Sequence, residues 1–328
     1  MKIKVLDKES IDKVYTISDA IQANKDAFAI YSKGASDIPL RTNIDVKEYN
    51  GQSLYMPGYA KDAHALGVKI VSVYPDNINK GIPSVPSTMV LIDDETGQVI
   101  ALLDGTYLTQ VRTGAVAGAA TDVLARKDSK VFTIFGAGGQ AEGQVAAVLD
   151  VRDIEKVYVC DLDKVRSQEF ADSMSKKHGI PFIVAEDSAK AVRESDIITC
   201  VTTTRRPLFN PEDVKAGTHI NGIGSYTPEM QEINSETIKN ADGVYVDTRD
   251  GVLNEAGDFI IPIEKGIFDE NIITGELGEV INKTAPGRFS DDQITVFKST
   301  GSAVLDVVNA RRIYDKAVSL GEGPEISL

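Results

Sequence analysis

The chain has 328 residues, 42% of them apolar, which exceeds one average domain and suits a globular protein with a sizeable core. Forty-nine acidic residues against thirty-five basic ones give a formal charge of −14, so simple repulsion disfavours nucleic acid or an anionic membrane as partner. The start lacks the long apolar core of a signal peptide and no apolar run reaches about 18 residues, so a cytoplasmic protein without a membrane span is expected.

Residues 18–33 carry apolar side chains at helical spacing, with Ser18 available as a cap and Gly34 as a stop. Short β-like runs follow at 54–56, 67–74 and 88–92, the last joined through 93–97 to 98–103 as a hairpin. A mostly antiparallel sheet ahead of a βαβ region is the arrangement of a separate substrate or dimerisation domain. In the run 68–74 the strand period puts Lys69 on the face of Val71 and Val73, so a charge projects from an apolar surface. Such a lysine either meets an anion or snorkels to water at the end of a sheet. Arg112 is expected to begin a long helix rich in Ala and Gly, whose small residues imply close packing. Arg41, just after Pro39 and Leu40, is by default a surface arginine.

The stretch 131–141 reads as a buried strand running into a Gly-rich turn and a helix over 139–149. Gly136, Gly138 and Ala141 occupy the three small positions of the G-x-G-x-x-G/A dinucleotide fingerprint, with Gly139 and Gln140 between them. The free amides of that helix start would face a pyrophosphate. A second apolar strand, 156–160, ends at Asp161, the position from which an acidic group grips a ribose. The competing reading is an ordinary βα turn. Cys160 and Cys200 each fall at a strand end as small hydrophobes, and His64, His178 and His219 are too scattered for a ligand set, so neither disulfide nor metal is expected.

Further strand-like runs at 197–201, 219–223, 244–246 and 294–297 alternate with helical stretches and extend the βαβ unit into a doubly wound parallel sheet. Ligands gather at the carboxyl ends of such strands. Those ends carry Thr202, Thr203 and Thr204, then Gly222 to Tyr226, Asp247, and Lys298, Ser299, Thr300 and Gly301. The final amphipathic helix, 303–320, is expected to pack back on the first domain.

With Arg41, Lys69, Arg112-Thr113-Gly114-Ala115, the loop 136–140 and the run 295–301 in hand, the chain resembles the ornithine cyclodeaminase/mu-crystallin family over nearly its whole length. Supporting motifs are Asp104 to Thr109, Thr218 to Gly224 and Pro286-Gly287-Arg288. The resemblance implies an α/β protein in which a Rossmann domain, 116–302, is inserted into an α+β substrate and dimerisation domain made from 1–115 and 303–328. It implies a homodimer, an NAD(P)-dependent oxidoreductase, and convergence of Arg41, Lys69 and Arg112 on the α-carboxylate of an amino or imino acid. Met56 and Ser299 join these as expected substrate contacts. Ser84, Thr88 and Thr113 are implied to help hold the cofactor, beside Gly136, Gly138, Gly139, Gln140, Ala141, Asp161, Thr202, Thr203, Asn221, Ile223, Ser225, Lys298 and Gly301.

One position departs from the cyclodeaminase pattern. Where that pattern has an aspartate that manages protons on the departing and attacking nitrogens, this chain has Tyr226, a poor base at neutral pH because a phenol titrates near roughly 10. The expected reaction is therefore reduction of pyrroline-2-carboxylate or a similar ketimine acid, with Lys69, Arg112 and Tyr226 as the expected catalytic groups. Cyclisation of ornithine to proline, amino-acid dehydrogenation and a purely ligand-binding role are the alternatives. Asp161 and Asp163 would repel a 2′-phosphate, so NADH is expected over NADPH, against the pull of Lys164 and Arg166.

Overall fold

The computed structural model describes residues 2–328. They divide into two compact units, one running to Arg112 and resuming over Ser302–Leu328, the other Thr113–Gly301. The division falls inside one helix, Gly105–Leu124, rather than at 115/116 as the sequence reading had it.

The first unit is built on an eight-stranded sheet. Its strands are β1 (Lys2–Leu6), β2 (Ser36–Asp37), β3 (Thr42–Val46), β4 (Gly51–Ala60), β5 (Ala65–Val73), β6 (Ser87–Ile92) and β7 (Val99–Asp104), closed at one edge by a strand from the chain's end. The neighbours β4 to β7 pair antiparallel, while β1 joins β7 in parallel. Side chains alternate, so one face is buried and the other half-exposed: β4 buries Leu54, Met56, Gly58 and Ala60. The strand β4 is much longer than the expected 54–56. Pro57 hides it in the sequence, yet sits in register with Val68.

The helix Ile17–Ser32 is capped by Thr16, two residues earlier than Ser18 would have it. Thr16 and Asp19 form a reciprocal capping box, so the stronger signal was the Thr-x-x-Asp pair. Helix Gly105–Leu124 likewise starts two turns before Arg112, where the Asp104 carboxylate accepts from the Tyr107 amide. Arg112 is thus a mid-helix residue.

The second unit is a parallel sheet of β8 (Val131–Phe135), β9 (Lys156–Cys160), β10 (Phe182–Val184), β11 (Ile197–Cys200), β12 (His219–Gly222), β13 (Gly243–Val246), β14 (Gly275–Glu276) and β15 (Thr295–Lys298). The spatial order is β10-β9-β8-β11-β12-β15-β13-β14. The chain therefore runs outward in one direction from β8 to β10 and returns on the other side of β8 with β11, a doubly wound arrangement with its switch point between β8 and β11. Both sides of the sheet are packed with apolar side chains, Val145 and Ile134 in one cluster, Val244 and Phe259 in another. Burial on both faces explains the uninterrupted apolar runs that made these strands legible. Cys160 and Cys200 are free and buried at the ends of β9 and β11.

The chain then returns to the first unit. Helix Ala303–Leu320 lies on the buried face of its sheet, where a Cβ on Gly58 would come within 3.4 Å of both Ala303 and Val307. The last strand, β16 (Glu325–Ser327), pairs antiparallel with β1. No helix among the described residues is long and apolar enough to cross a membrane.

Candidate active site

In the first unit the register places Met56, Lys69, Met89 and Leu103 opposite one another across four adjacent strands. Paired residues share a face, so the Lys69 ammonium stands in a row of apolar side chains, 2% exposed. Burying an unpaired ammonium there would cost several kcal/mol or more. Its partner is Asp306, whose Oδ2 lies 2.6 Å from Lys69 Nζ and whose Oδ1 lies 2.8 Å from Arg112 Nε. Asp306 itself is wholly buried.

One carboxylate thus joins two buried cations from a strand and a helix that are far apart in sequence. Both contacts are close by distance but poorly aligned, and the two Asp306 oxygens and Arg112 Nε have no partner of good hydrogen-bond geometry. Two positive groups and one negative leave a surplus of one positive charge, which is the charge complement of a single carboxylate. Burial pulls the Lys69 ammonium down to about 8, against the opposing pull of Asp306, and Arg112 and Arg41 add to the fall. Arg41, partly exposed, is therefore close enough to act on Lys69 electrostatically, and the three cations expected from the sequence gather in one region.

Arg112 is also fixed through its backbone. Tyr15 Oη donates to Asn309 Oδ1 at 2.9 Å, Asn309 Nδ2 to Asn24 Oδ1 at 2.8 Å, and Asn24 Nδ2 to the Arg112 carbonyl at 2.8 Å. This buried relay links three helices and orients the turn that carries the guanidinium. Asp306, Asn309 and Asn24 were missed by the sequence reading. Asp306 was discoverable: it lies at helical spacing from Ala303, Ala310 and Ile313, so a charge interrupts the apolar stripe of the last helix.

In the second unit the fingerprint loop leaves β8 at the switch point. Gly136 has φ +103°, and a Cβ there would meet the Val201 carbonyl at 2.7 Å, so glycine is required. Gly138 and Gly139 are exposed and have open space where a Cβ would stand. The helix Ala141–Val151 that follows has no side-chain cap at Gln140, and its first amide, that of Ala141, donates to the Gly138 carbonyl at 3.0 Å. Gly114 of helix Gly105–Leu124 approaches the Gly143 backbone so closely that a Cβ would fall 2.5 Å from it, which accounts for the small residues at 113–115. Gln144 Nε2 donates to the Thr113 carbonyl at 3.1 Å and ties the two helices together.

Asp161 is bound on both oxygens. Oδ2 accepts from the Ala137 amide at 2.7 Å and Oδ1 from the Asp163 amide and Arg166 Nη2, at 2.9 and 2.6 Å. Burial would raise this carboxyl, but the amides and the guanidinium outweigh it and hold it below the usual range. Asp161 therefore shapes the loop that follows β8. Asp163, read as a second charge against a 2′-phosphate, instead caps the helix Lys164–His178 by accepting from the Val165 and Arg166 amides.

The loops after β11 and β12 are organised by a residue that sequence reasoning passed over. The buried Glu232 carboxylate accepts from the Thr202 amide and hydroxyl, at 2.6 and 2.8 Å, and from the amides of Gly224 and Ser225, at 2.7 and 2.8 Å. Burial raises its pKa, with nearby Lys298 opposing. Four residues expected at the site make internal contacts here. Lys298 is fully buried with Nζ 3.2 Å from Asp258, which also accepts from the Glu232 and Ile233 amides; the lysine points into the core. Asn221 bonds His219, Thr121 and Thr199 inside the sheet. Ser225 donates its hydroxyl to the Met230 carbonyl, and Ser299 donates to Asp247 at 2.7 Å. Asp247 accepts also from the amides of Thr300 and Gly301, so its role is to set the Ser299–Gly301 turn. At the surface remain Thr203, Gly138, Gly139 and Tyr226, the last 46% exposed, while Thr202 and Gly301 are half-buried and Ile223 is buried. Ser84 is half-buried and Thr88 exposed on the sheet face opposite Lys69. The Pro286-Gly287-Arg288 motif is a brace: Arg288 donates to the Leu124 and Gln293 carbonyls and to Thr295 Oγ1.

A model of the ornithine cyclodeaminase/mu-crystallin family matches residues 1–321. The chain is 39% identical to a Δ(1)-pyrroline-2-carboxylate reductase of Bacillus cereus over 314 residues, 96% of each chain. Among solved structures it is similar to the Thermococcus litoralis Δ(1)-pyrroline-2-carboxylate reductase in complex with NADH and L-proline. The TM-score there is 0.93 at 42% identity, covering 99% of this chain and 100% of that one. An archaeal alanine dehydrogenase dimer with bound NAD matches with the same TM-score at 33% identity over the full length of both chains.

Proposed function

From a chain that belongs to the ornithine cyclodeaminase/mu-crystallin family, we propose an NADH-dependent reductase of cyclic α-imino acids, with Δ1-pyrroline-2-carboxylate as the preferred substrate class. The observation that carries this reading is the buried Lys69–Asp306–Arg112 set, whose one unit of surplus positive charge suits one carboxylate in a place where water is excluded. A carboxylate clamp is needed by a reductase and has no purpose in a protein that only binds a dinucleotide.

The residues at the switch point fit the cofactor: Gly138 and Gly139 leave room for a pyrophosphate, the uncapped helix start offers amides, and Asp161 stands at the ribose position. When bound, NADH supplies the hydride. Arg41, Lys69 and Arg112 bind and orient the substrate carboxylate, which fixes the α-carbon that accepts that hydride. Met56, opposite Lys69 in the sheet, offers an apolar surface to the substrate's carbon skeleton. Tyr226 has a phenol where cyclodeaminase chemistry calls for a carboxylate base, and this favours reduction of a preformed imine over release of ammonia from ornithine.

The test compares three reactions of the purified protein: NADH oxidation with pyrroline-2-carboxylate, ammonia release from ornithine with NAD, and NADH formation with alanine and NAD. The first is expected to dominate. Comparable or faster turnover in either of the others overturns the ordering. We also place the pairing of two copies on the half-exposed face of the first unit's sheet, where Ile44 and Ile70 are 51% and 36% exposed on the same side. Sedimentation at twice the chain mass, reduced to one chain mass by Ile44→Lys, supports this; a monomeric wild type excludes it.

A further inference from the structure

We propose that Asp306 is the positioning residue of the carboxylate clamp: it keeps Lys69 a cation inside the apolar sheet face and holds it beside Arg112, so that Asp306 sets the upper pH limit of turnover. The proposal rests on the imino-acid reductase reading above.

The geometry gives Asp306 no other task. It comes from the helix Ala303–Leu320, reaches the sheet where Lys69 interrupts the apolar row of Met56, Met89 and Leu103, and touches both buried cations, at 2.6 and 2.8 Å. The charged groups that face Lys69 are Asp306 from that helix, Arg112 from the helix Gly105–Leu124, and Arg41 from the segment before β3. Its neighbours on β4 and β6, Met56 and Met89, carry no charge. Two of the three charged groups repel a proton on Lys69 and only Asp306 attracts it, so the balance between charged and neutral lysine turns on this one carboxylate.

The loose alignment of the ion pairs also matters. Neither Asp306 oxygen nor Arg112 Nε is spent in a well-directed hydrogen bond. An arriving carboxylate can share the donors of Lys69 and Arg112 while Asp306 stays as counter-ion. Lys69 in the free protein sits at about 8, within the range where an ordinary assay can see it titrate. Without Asp306 the remaining neighbours, burial and two cations, all push it further down.

The experiment is the pH dependence of kcat/KM for NADH-driven reduction of pyrroline-2-carboxylate by wild type, Asp306→Asn and Lys69→Arg, with thermal unfolding recorded for each. Wild type is expected to lose activity above about pH 8, as a neutral Lys69 releases the carboxylate. In Asp306→Asn that limb moves at least one pH unit toward acid, and KM for the imino acid at pH 7.5 rises at least tenfold more than kcat falls. Lys69→Arg keeps a cation on Asp306 that does not titrate in this range, so the limb disappears. A limb that stays in place in both variants belongs to the substrate's own nitrogen and overturns the proposal. If Asp306→Asn does not fold, Asp306→Glu replaces it: a limb displaced from that of wild type supports the proposal, and one left in place overturns it. An active wild type with an unmoved limb sinks only the role of Asp306, whereas a wild type that reduces no imino acid removes the functional reading and this proposal with it.

Discussion

Two glycines of the same loop are expected to respond in opposite ways to one added methyl group. At Gly136 a Cβ would sit 2.7 Å from the Val201 carbonyl and 3.1 Å from Thr202 Cγ2, on a backbone with φ +103°. Left-handed strain and displacement of the neighbouring strand end together cost about 2–5 kcal/mol, so Gly136→Ala should unfold at visibly lower temperature. At Gly138 nothing lies within 4 Å of the added Cβ and φ is outside the left-handed region. Gly138→Ala should therefore keep wild-type stability to within about 0.5 kcal/mol. The same methyl, however, would occupy the space through which the loop amides reach a pyrophosphate. Loss of one charge-assisted hydrogen bond, about 1.5–3 kcal/mol, weakens NADH by roughly 10- to 150-fold. Fluorescence titration with NADH, beside thermal unfolding, reads both quantities. A Gly138→Ala protein that binds NADH as tightly as wild type would refute the assignment of this loop as the phosphate cradle.

Two further outcomes follow from buried groups of the second unit. Burial, with Arg288 nearby, pulls the His219 imidazole down to about 3, so between that value and the unfolded value near 6.5 the unfolded chain binds a proton that the native one refuses. Stability falls as pH drops through this window, by up to about 1.4 kcal/mol per pH unit; His219→Gln, which cannot take up the proton, should flatten the dependence, and parallel unfolding curves for both proteins would contradict it. Glu232→Ala leaves four donors of the β11 and β12 loops without their acceptor, at about 1–3 kcal/mol for each one kept from water. Hydrogen exchange at Thr202, Gly224 and Ser225 should accelerate before that of the sheet; unchanged protection there would show that the loops hold themselves.

Much of this fold was legible because parallel strands buried on both faces leave continuous apolar runs, and β8, β9 and β11 stand close to where those runs lie. The glycine fingerprint was legible for a different reason: a backbone constraint at Gly136 is written in the residue type itself. Short strands such as β2, β10 and β14 have too few residues to show a period, and Pro57 disguised the middle of β4. The internal contacts of Lys298, Asn221, Ser225 and Ser299 were not legible, because proximity to a strand's carboxyl end does not tell which neighbours a side chain meets.

The loop from Gly136 to Ala141 and the lysine in an apolar strand were thus determined by sequence alone, since local geometry and a single misplaced charge are properties of neighbouring residues. What answers the charge of Lys69 was not. Its counter-ion lies 237 positions further along, on a helix brought to the sheet by the packing of Ala303 and Val307 against Gly58. Electrostatic partnership between residues so far apart is a consequence of which surfaces fit together, and only the tertiary structure could bring Asp306 to Lys69 and Arg112.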